Sequence, residues 1–554
     1  MTGSGTSRRT MQNQISFQRE PSPSPQVAPS RYESLDGRLQ TIISYLADDS
    51  RSTRVLAVVI LFSLLFSAGI ALTRRPFCDE AWFADIPYNL IHHGYMGMRV
   101  LDPHGFPFST YVEGIDRYTY WIMPGYLLLQ AAWYKVFGLS LFSMRSISIF
   151  WGGVALLSWY VVVRWLTGNS RIALLAIFLL GMEHNFVRSA ANGRMDMMCA
   201  SLGLLSLALY IRLRENFTLA LFVAAFVTAI NFFTHPNSIF GAMALAVIVL
   251  YFDRSRLTVR ALLIAASPFV LLGALWGLYI ARAPQLFLAQ FRGQATIPHR
   301  FDFPWNPLEA LIRELSLRYG PYYGLNFRLP MVFACIILAL YFAAIIMALV
   351  VPQLRHRSGV KILLILTALT FTLLMCLQKA WYYLIFIIPY YTAILAIVSN
   401  WLWSKSFHYR IAVASLLGIA ILLYLGVTSG RIAQDDYRTR YLEATNYLKR
   451  NAKPGDLVMG SGELAFELGF EGQVLDDSRL GFLTGKTPEF IVLEGQYAVF
   501  WIPWFSVYEP ETYRYIVGLL VNDYDIVLDQ TKDRATAYGI FDQPYQVLKR
   551  KASP

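Results

Sequence analysis

The chain has 554 residues, 56% hydrophobic and only 15% charged, with a net charge of +12. Soluble domains carry about 25% charged residues, so this composition excludes an ordinary soluble protein and calls for several apolar helices. The basic residues fall between the apolar runs, so the lipid bilayer is the expected partner and nucleic acid is not.

Residues 1–30 are rich in Ser, Pro, Gln and Arg, which predicts a disordered cytoplasmic tail over 1–50 without a cleavable signal. Leu35, Leu39, Ile42, Ile43 and Leu46 recur at helical spacing, as in a short interfacial helix. Apolar runs then predict spans at 55–72, 143–163, 172–188, 195–211, 217–234, 237–252, 260–281, 330–351, 360–378, 380–399 and 410–429. One further run, 118–137, contains Pro124 and Gly125, which weaken it as a straight span. If it does not cross, Arg164, Arg171, Arg212, Arg214, Arg254, Arg256, Arg260, Arg355, Arg357, Lys361, Lys405 and Arg410 all lie on the side of the tail. Short cytoplasmic loops favour Lys and Arg, so 118–137 is read as lying in the outer leaflet.

The expected fold is a polytopic α-helical membrane protein of roughly eleven to thirteen spans, with its N-terminus cytoplasmic. A transmembrane module (51–430) carries a first outer loop (73–142) with in-plane helices and a middle outer loop (282–329). Residues 431–554 change character. A helix over 435–451, a turn at KPGD (453–456), strand-like LVMGS, FIVLE (490–494) and YDIVLD (524–529), and a helix around 511–521 predict an outer α/β domain. Cys78, Cys199, Cys335 and Cys376 have neither metal-ligand spacing nor the pattern of a disulfide framework.

The first outer loop opens with RRPFCDEAWFADIPYNLIHHGYMG. Asp79 is a good helix N-cap and Glu80 suits the positive helix end. The functional reading is a carboxylate held at the membrane surface as a general base for a sugar hydroxyl. The same face collects Arg117, Arg145, Glu183, His184, Arg188, Arg194, Asp196, His235, Arg292, Arg300, Lys379, Tyr382 and Tyr383. Snorkelling cations and interfacial aromatics explain a few of these, but less well a set from several helices on one side. Cations with a few carboxylates suit an anionic headgroup meeting a hydroxyl, and a phosphate carrying a long lipid would arrive laterally from the bilayer.

These motifs resemble the membrane-embedded C-type (GT-C) glycosyltransferases, in the branch with protein O-mannosyltransferases and lipid A aminoarabinose transferases. The resemblance rests on CDEAWFADIPYNLIHHG, RYTYWIMPGYLLLQAAWYKVFG with SLFSMRSIS, NGRMDMM, THPN and KAWYYLIFIIPYY, in family order over about residues 55–430. It implies that Asp79 is the catalytic aspartate with Glu80 beside it, and that Asp196 is a second acidic position at the rim. Arg117 stands where many relatives have Lys or His before a proline pair, and RYTYWIMP departs from that pattern. Lys379 and Tyr382 match a basic-aromatic element near the donor headgroup, and Arg292 matches a phosphate-binding Arg. With Arg194 and His235 these form the expected donor-binding set, and Arg145 is a structural or rim residue. The implied reaction is inverting transfer from a polyprenyl-phosphate sugar to a hydroxyl-bearing acceptor outside the cytoplasmic membrane. The sequence shows no persuasive metal cluster and makes no cofactor certain, while a single divalent cation held by Asp79 and Asp196 stays open.

Other classes are a transporter or flippase of lipid-linked sugars, and a receptor-like or assembly protein. The first would place paired charges near mid-membrane in a repeated layout, and no internal repeat is visible. The second leaves the first-loop carboxylates as caps only. A nucleotide-sugar enzyme fits poorly, because Asp523–Tyr524–Asp525 is the one Asp-x-Asp and lies in a strand-like run. The sugar and the acceptor, whether glycolipid, polysaccharide or protein, are not legible.

Overall fold

The computed structural model describes residues 50–107, 109–297, 300, 306–320, 330–531 and 544–552. The expected tail and the interfacial helix bearing Leu35 and Leu46 lie outside the described residues. Among those described, seven helices are long and apolar enough to cross a membrane, and a bent pair makes an eighth. The chain is therefore a multi-pass membrane protein.

The bundle helices are Ser50–Thr73, Leu141–Thr167, Ser170–Met182, Met195–Leu213, Phe217–Phe232, Ile239–Asp253, Val259–Ile280, Pro330–Val350, Ser358–Met375, Ile388–Trp403 and Phe407–Gln434. Each falls on an expected span, but two spans are broken. The run 172–188 bends by 66° between Ser170–Met182 and His184–Ala190, because Glu183 leaves the helix and caps the next through the Phe186 N–H at 3.1 Å. The run 380–399 starts as a 3-10 turn, Trp381–Phe386, before the α-helix.

The run 118–137 is helical only from Pro124 to Phe137. Residues ahead of it are pinned by Gln290, which accepts the Tyr120 N–H at 2.8 Å and donates to the Glu113 and Tyr118 carbonyls at 2.9 and 2.8 Å. With 14 residues, the helix is about 21 Å long, short of the ~30 Å hydrocarbon core. Its start touches the Phe233 carbonyl through the Gly125 N–H at 2.5 Å. Near its end Trp133 donates to Ser146 at 3.1 Å, one residue past Arg145.

The C-terminal part is α/β, with a five-stranded sheet: β1 (Val458–Met459), β2 (Val474–Leu475), β3 (Phe490–Leu493), β4 (Tyr524–Asp529) and β5 (Gln546–Arg550). The order is β2-β1-β3-β5-β4, parallel from β2 to β3 and antiparallel where β5 pairs with β3 and β4. Expected strands appear as β1, β3 and β4, and the helix around 511–521 appears as Pro510–Asn522. The two-residue β2 and the charged β5 carry too little alternation to read from sequence.

Two large hydrophobic cores organise the described residues, with a small third cluster around Ile70 and Val187. One lies inside the bundle around Trp159, Tyr210 and Tyr391. The other is shared by the first-loop helix Cys78–His93 and the sheet, with Trp82, Phe83, Phe106, Phe490 and Trp501 in one cluster. Polar contacts reinforce that seam: Arg75 meets Glu494 at 3.0 Å, Trp82 donates to Asp476 at 3.0 Å and Lys486 meets Asp102 at 2.7 Å. The sheet thus grips the chain four residues before Asp79.

Candidate active site

Helix Cys78–His93 begins after Pro76–Phe77, and Glu80 closes its capping box on the Phe77 N–H at 2.9 Å. Glu80 is fully buried and saturated. Arg145 grips it with two bonds of 2.8 and 2.7 Å, and the Gly193 N–H donates at 2.8 Å. Burial alone would raise its pKa, but the Arg145 charge and hydrogen bonds hold it below the usual carboxylate value. Arg145 spends its remaining N–H groups on the Ala71, Arg74 and Arg75 carbonyls at 2.7–2.9 Å. Glu80 and Arg145 therefore lock together the first helix end, the Asp79 turn and the 192–194 turn. Glu80, expected beside Asp79 as a catalytic group, has no oxygen to spare.

The lock presents Asp79 to Arg194. A Cβ on Gly193 would sit 2.7 Å from the Met144 side chain, so the turn passes close against it. Arg194 forms ion pairs with Asp79 and, at 2.9 Å, with Asp196, and its guanidinium lies 4.2 Å over the Tyr382 ring. Asp79 is partly open, with 22% of its side chain accessible, whereas Arg194 and Asp196 are buried. Asp196 keeps one oxygen, Oδ1, buried and without a hydrogen-bond partner. A buried carboxylate oxygen in that state awaits a donor.

His235 is buried, and its ring lies 6.1 Å from Tyr383. Its Nδ1 accepts the Asn237 N–H at 2.9 Å, which leaves the proton on Nε2. Burial pulls its pKa down to about 4; Asp196 opposes this, and the charges of Arg194 and Arg300 add to it. Arg300 is held by Gln378 at 2.8 Å and by Gln294. Among the described residues, the middle loop thus brings Arg300 toward the site. Arg292, the expected phosphate ligand, is exposed on helix Pro284–Thr296. Nothing in the spacing of the two arginines ranks one above the other.

Arg117 also stands apart. It is 79% exposed and pairs with Asp116 at 3.8 Å. Lys379 is only 7% exposed and meets the buried Glu314 at 3.1 Å, which Arg318 also holds at 2.6 Å. Arg318 donates to the Leu374, Leu377 and Ala380 carbonyls, so this ion cluster fixes the turn that presents Tyr382. Sequence reasoning did not single out Glu314 or Arg318. The structure therefore brings together Asp79, Arg194, Asp196, His235 and Tyr382, adds Arg300, and leaves Arg117 and Arg292 outside.

Between Asp79 and Asp196 stands a guanidinium. Among the described residues no three His, Cys, Asp or Glu side chains converge as a metal site.

No family model and no curated protein matches the sequence. Among solved structures, ArnT from Cupriavidus metallidurans bound to undecaprenyl phosphate matches 89% of this chain and 97% of its own, with TM-score 0.54 and 14% identity. Its apo form matches equally, at TM-score 0.54. The Archaeoglobus fulgidus oligosaccharyltransferase tethered with an acceptor peptide matches 80% of this chain and 69% of its own, with TM-score 0.50 and 15% identity. The chain has the GT-C glycosyltransferase fold. In this GT-C fold the cluster around Asp79 sits where the first-loop segment meets the ends of the bundle helices.

Proposed function

We propose that the protein transfers a sugar from a polyprenyl-phosphate donor to a hydroxyl acceptor, with inversion, at the outer face of the cytoplasmic membrane. The observation that carries the reading is the arrangement Asp79–Arg194–Asp196 over Tyr382 at one end of an apolar bundle. Asp79 is the general base. While paired with Arg194 it is a weak one; a donor phosphate drawing on the Arg194 charge leaves Asp79 more basic as the acceptor hydroxyl attacks. Arg194 and Arg300 hold the phosphate and stabilise its charge as the bond to the sugar breaks. Asp196 Oδ1 accepts a substrate hydroxyl, and the neutral His235 donates from Nε2. The relatives of this fold support the donor class: one was solved with undecaprenyl phosphate bound.

Helix-end contacts support the topology. Arg214 meets Asp253 at 2.7 Å and lies 5.5 Å over Trp165, so basic connectors gather at the opposite end from Asp79. That layout follows if Pro124–Phe137 stays on the side of the site, with the N-terminus cytoplasmic and residues 431–554 outside.

The test is Asp79→Asn in the full chain, assayed for envelope glycolipid and glycoprotein products by mass spectrometry. Transfer should fall by about 10²–10⁴-fold with membrane insertion and thermal stability retained. Near-normal transfer would remove Asp79 from the mechanism.

A further inference from the structure

Helix Cys78–His93 carries Asp79 at its start and leads to a separate groove beyond its end. This open cleft of about 540 Å³ is lined by Tyr95, Arg99, Asp116, Arg117 and Tyr118, and its size is that of a ligand site. The two segments that line it pair backbone to backbone. The Met98 N–H donates to the Ile115 carbonyl at 2.7 Å, and the Thr119 N–H to the Met96 carbonyl at 2.8 Å. Gly97 permits this approach, since a Cβ there would collide with the Asp116 carbonyl. Gln290 holds the Tyr118 carbonyl at 2.8 Å, and the Tyr118 ring stacks on Tyr120 with centroids 6.0 Å apart. The groove is therefore preorganised.

Its charges are balanced. Arg117 pairs with Asp116 at 3.8 Å and Arg99 with Glu471 at 3.7 Å, so donors and acceptors stand side by side. Exposed and half-buried rings continue from the groove in series: Tyr95 to His93 at 6.1 Å, His93 to His92 at 6.5 Å and His92 to Tyr88 at 4.3 Å. Tyr88 in turn donates to Glu471 at 2.6 Å. Donors beside acceptors suit hydroxyl groups, which give and take hydrogen bonds. A phosphate would be opposed by Asp116 and Glu471, and an acyl chain would strip water from both ion pairs. Aromatic faces carry negative charge density and receive the C–H face of a sugar ring. A row of rings flanked by paired charges therefore fits a carbohydrate chain. The 16 residues of the helix put about 24 Å between Asp79 and the groove, so a ligand that reaches both is several sugar units long. Resting on the transferase reading above, we propose that this groove binds a distal stretch of an extended glycan acceptor whose reacting hydroxyl lies at Asp79.

The test is a titration by saturation-transfer-difference NMR of the full chain in phosphatidylcholine nanodiscs, without donor. The probes are size-fractionated oligosaccharides released by mild acid from the envelope of cells that natively make the protein. Affinity should rise with oligosaccharide length, and Tyr95→Ala with Tyr118→Ala should weaken binding of the longest fraction by about tenfold. Arg117→Ala, at a 79% exposed position that leaves the fold intact, should weaken it by about threefold. Asp79→Asn should bind like the wild type. Wild-type binding of no fraction, binding that does not grow with length, or undiminished binding by both groove variants would each overturn the proposal. The assay involves no transfer, so the two readings fail separately. Near-normal transfer by Asp79→Asn removes the role of Asp79, whereas absent glycan binding beside an inactive Asp79→Asn removes the groove alone.

Discussion

Two adjacent carboxylates divide the work at the start of helix Cys78–His93. A cap and a base were both reasonable for either residue from sequence, because both roles call for an acid at a helix N-terminus. Glu80 takes the structural task, since its oxygens serve Arg145, Gly193 and Phe77. Asp79 turns outward to Arg194. Glu80→Gln leaves Arg145 buried without its counter-charge, and should cost about 3–5 kcal/mol of stability, read as a drop in Tm of the detergent-solubilised protein. Transfer per folded molecule should fall far less than with Asp79→Asn. A Glu80→Gln protein of unchanged Tm but no activity would instead return Glu80 to the reaction. Arg300 and Arg292 show the limit of residue-level reading: both are loop arginines, and only the Gln378 and Gln294 contacts turn Arg300 inward.

At the level of elements, charged residues act mainly by fixing helix ends. Lys379 was expected to touch the donor phosphate, yet its ammonium meets Glu314 and the Met375 carbonyl at 2.6 Å. The cluster Glu314–Arg318–Lys379 holds the turn before Tyr382, a positioning task. Glu314→Gln removes the counter-charge that buried Arg318 and Lys379 share and should cost about 3 kcal/mol. Lys379→Met should cost less, because Arg318 stays on Glu314. Thermal unfolding of both variants checks the order, and a larger loss with Lys379→Met would break the assignment. The bend at Glu183 has the same logic. Hydropathy reads 172–188 as one run because its composition is uniformly apolar, but the capping bond to Phe186 redirects the backbone.

Across the whole molecule, one short helix sets the side of every later loop. A cysteine placed at Arg254, on the connector end, should resist an impermeant maleimide added outside intact cells and react after permeabilisation. Labelling from outside would refute both the topology and the compartment assigned to the site. The seam with the sheet should also respond to pH. Burial pushes Asp85 up to about 7, against hydrogen bonds from Val100, Arg99 and Asn89. It pushes Asp476 up to about 6, against those from Tyr497, Gly462 and Trp82. Folded pKa values raised above an unfolded value of about 3.9 contribute stability that is complete below about pH 4. That contribution is lost as the unfolded chain gives up its protons first, and is gone above about pH 7. Tm should therefore be higher at pH 5 than at pH 7.5, and Asp85→Asn with Asp476→Asn should flatten the difference. A Tm that rises with pH across this range would contradict the burial argument.

The sequence by itself determined the bundle, its span positions and the α/β character of 431–554, because apolar runs of membrane length and strand-like runs between turns are properties of contiguous residues. It also led to the expectation that the chemistry-bearing side chains share one end of the bundle, provided that 118–137 does not cross, since helix direction alternates from span to span. Which of those side chains meet was decided only by tertiary structure. Asp79, Arg194 and Tyr382 are far apart in the chain, and their contact depends on the Glu80–Arg145 lock, the Glu314 cluster and the grip of the sheet on Arg75. Each is a long-range pairing of buried charges, whose geometry no local spacing encodes.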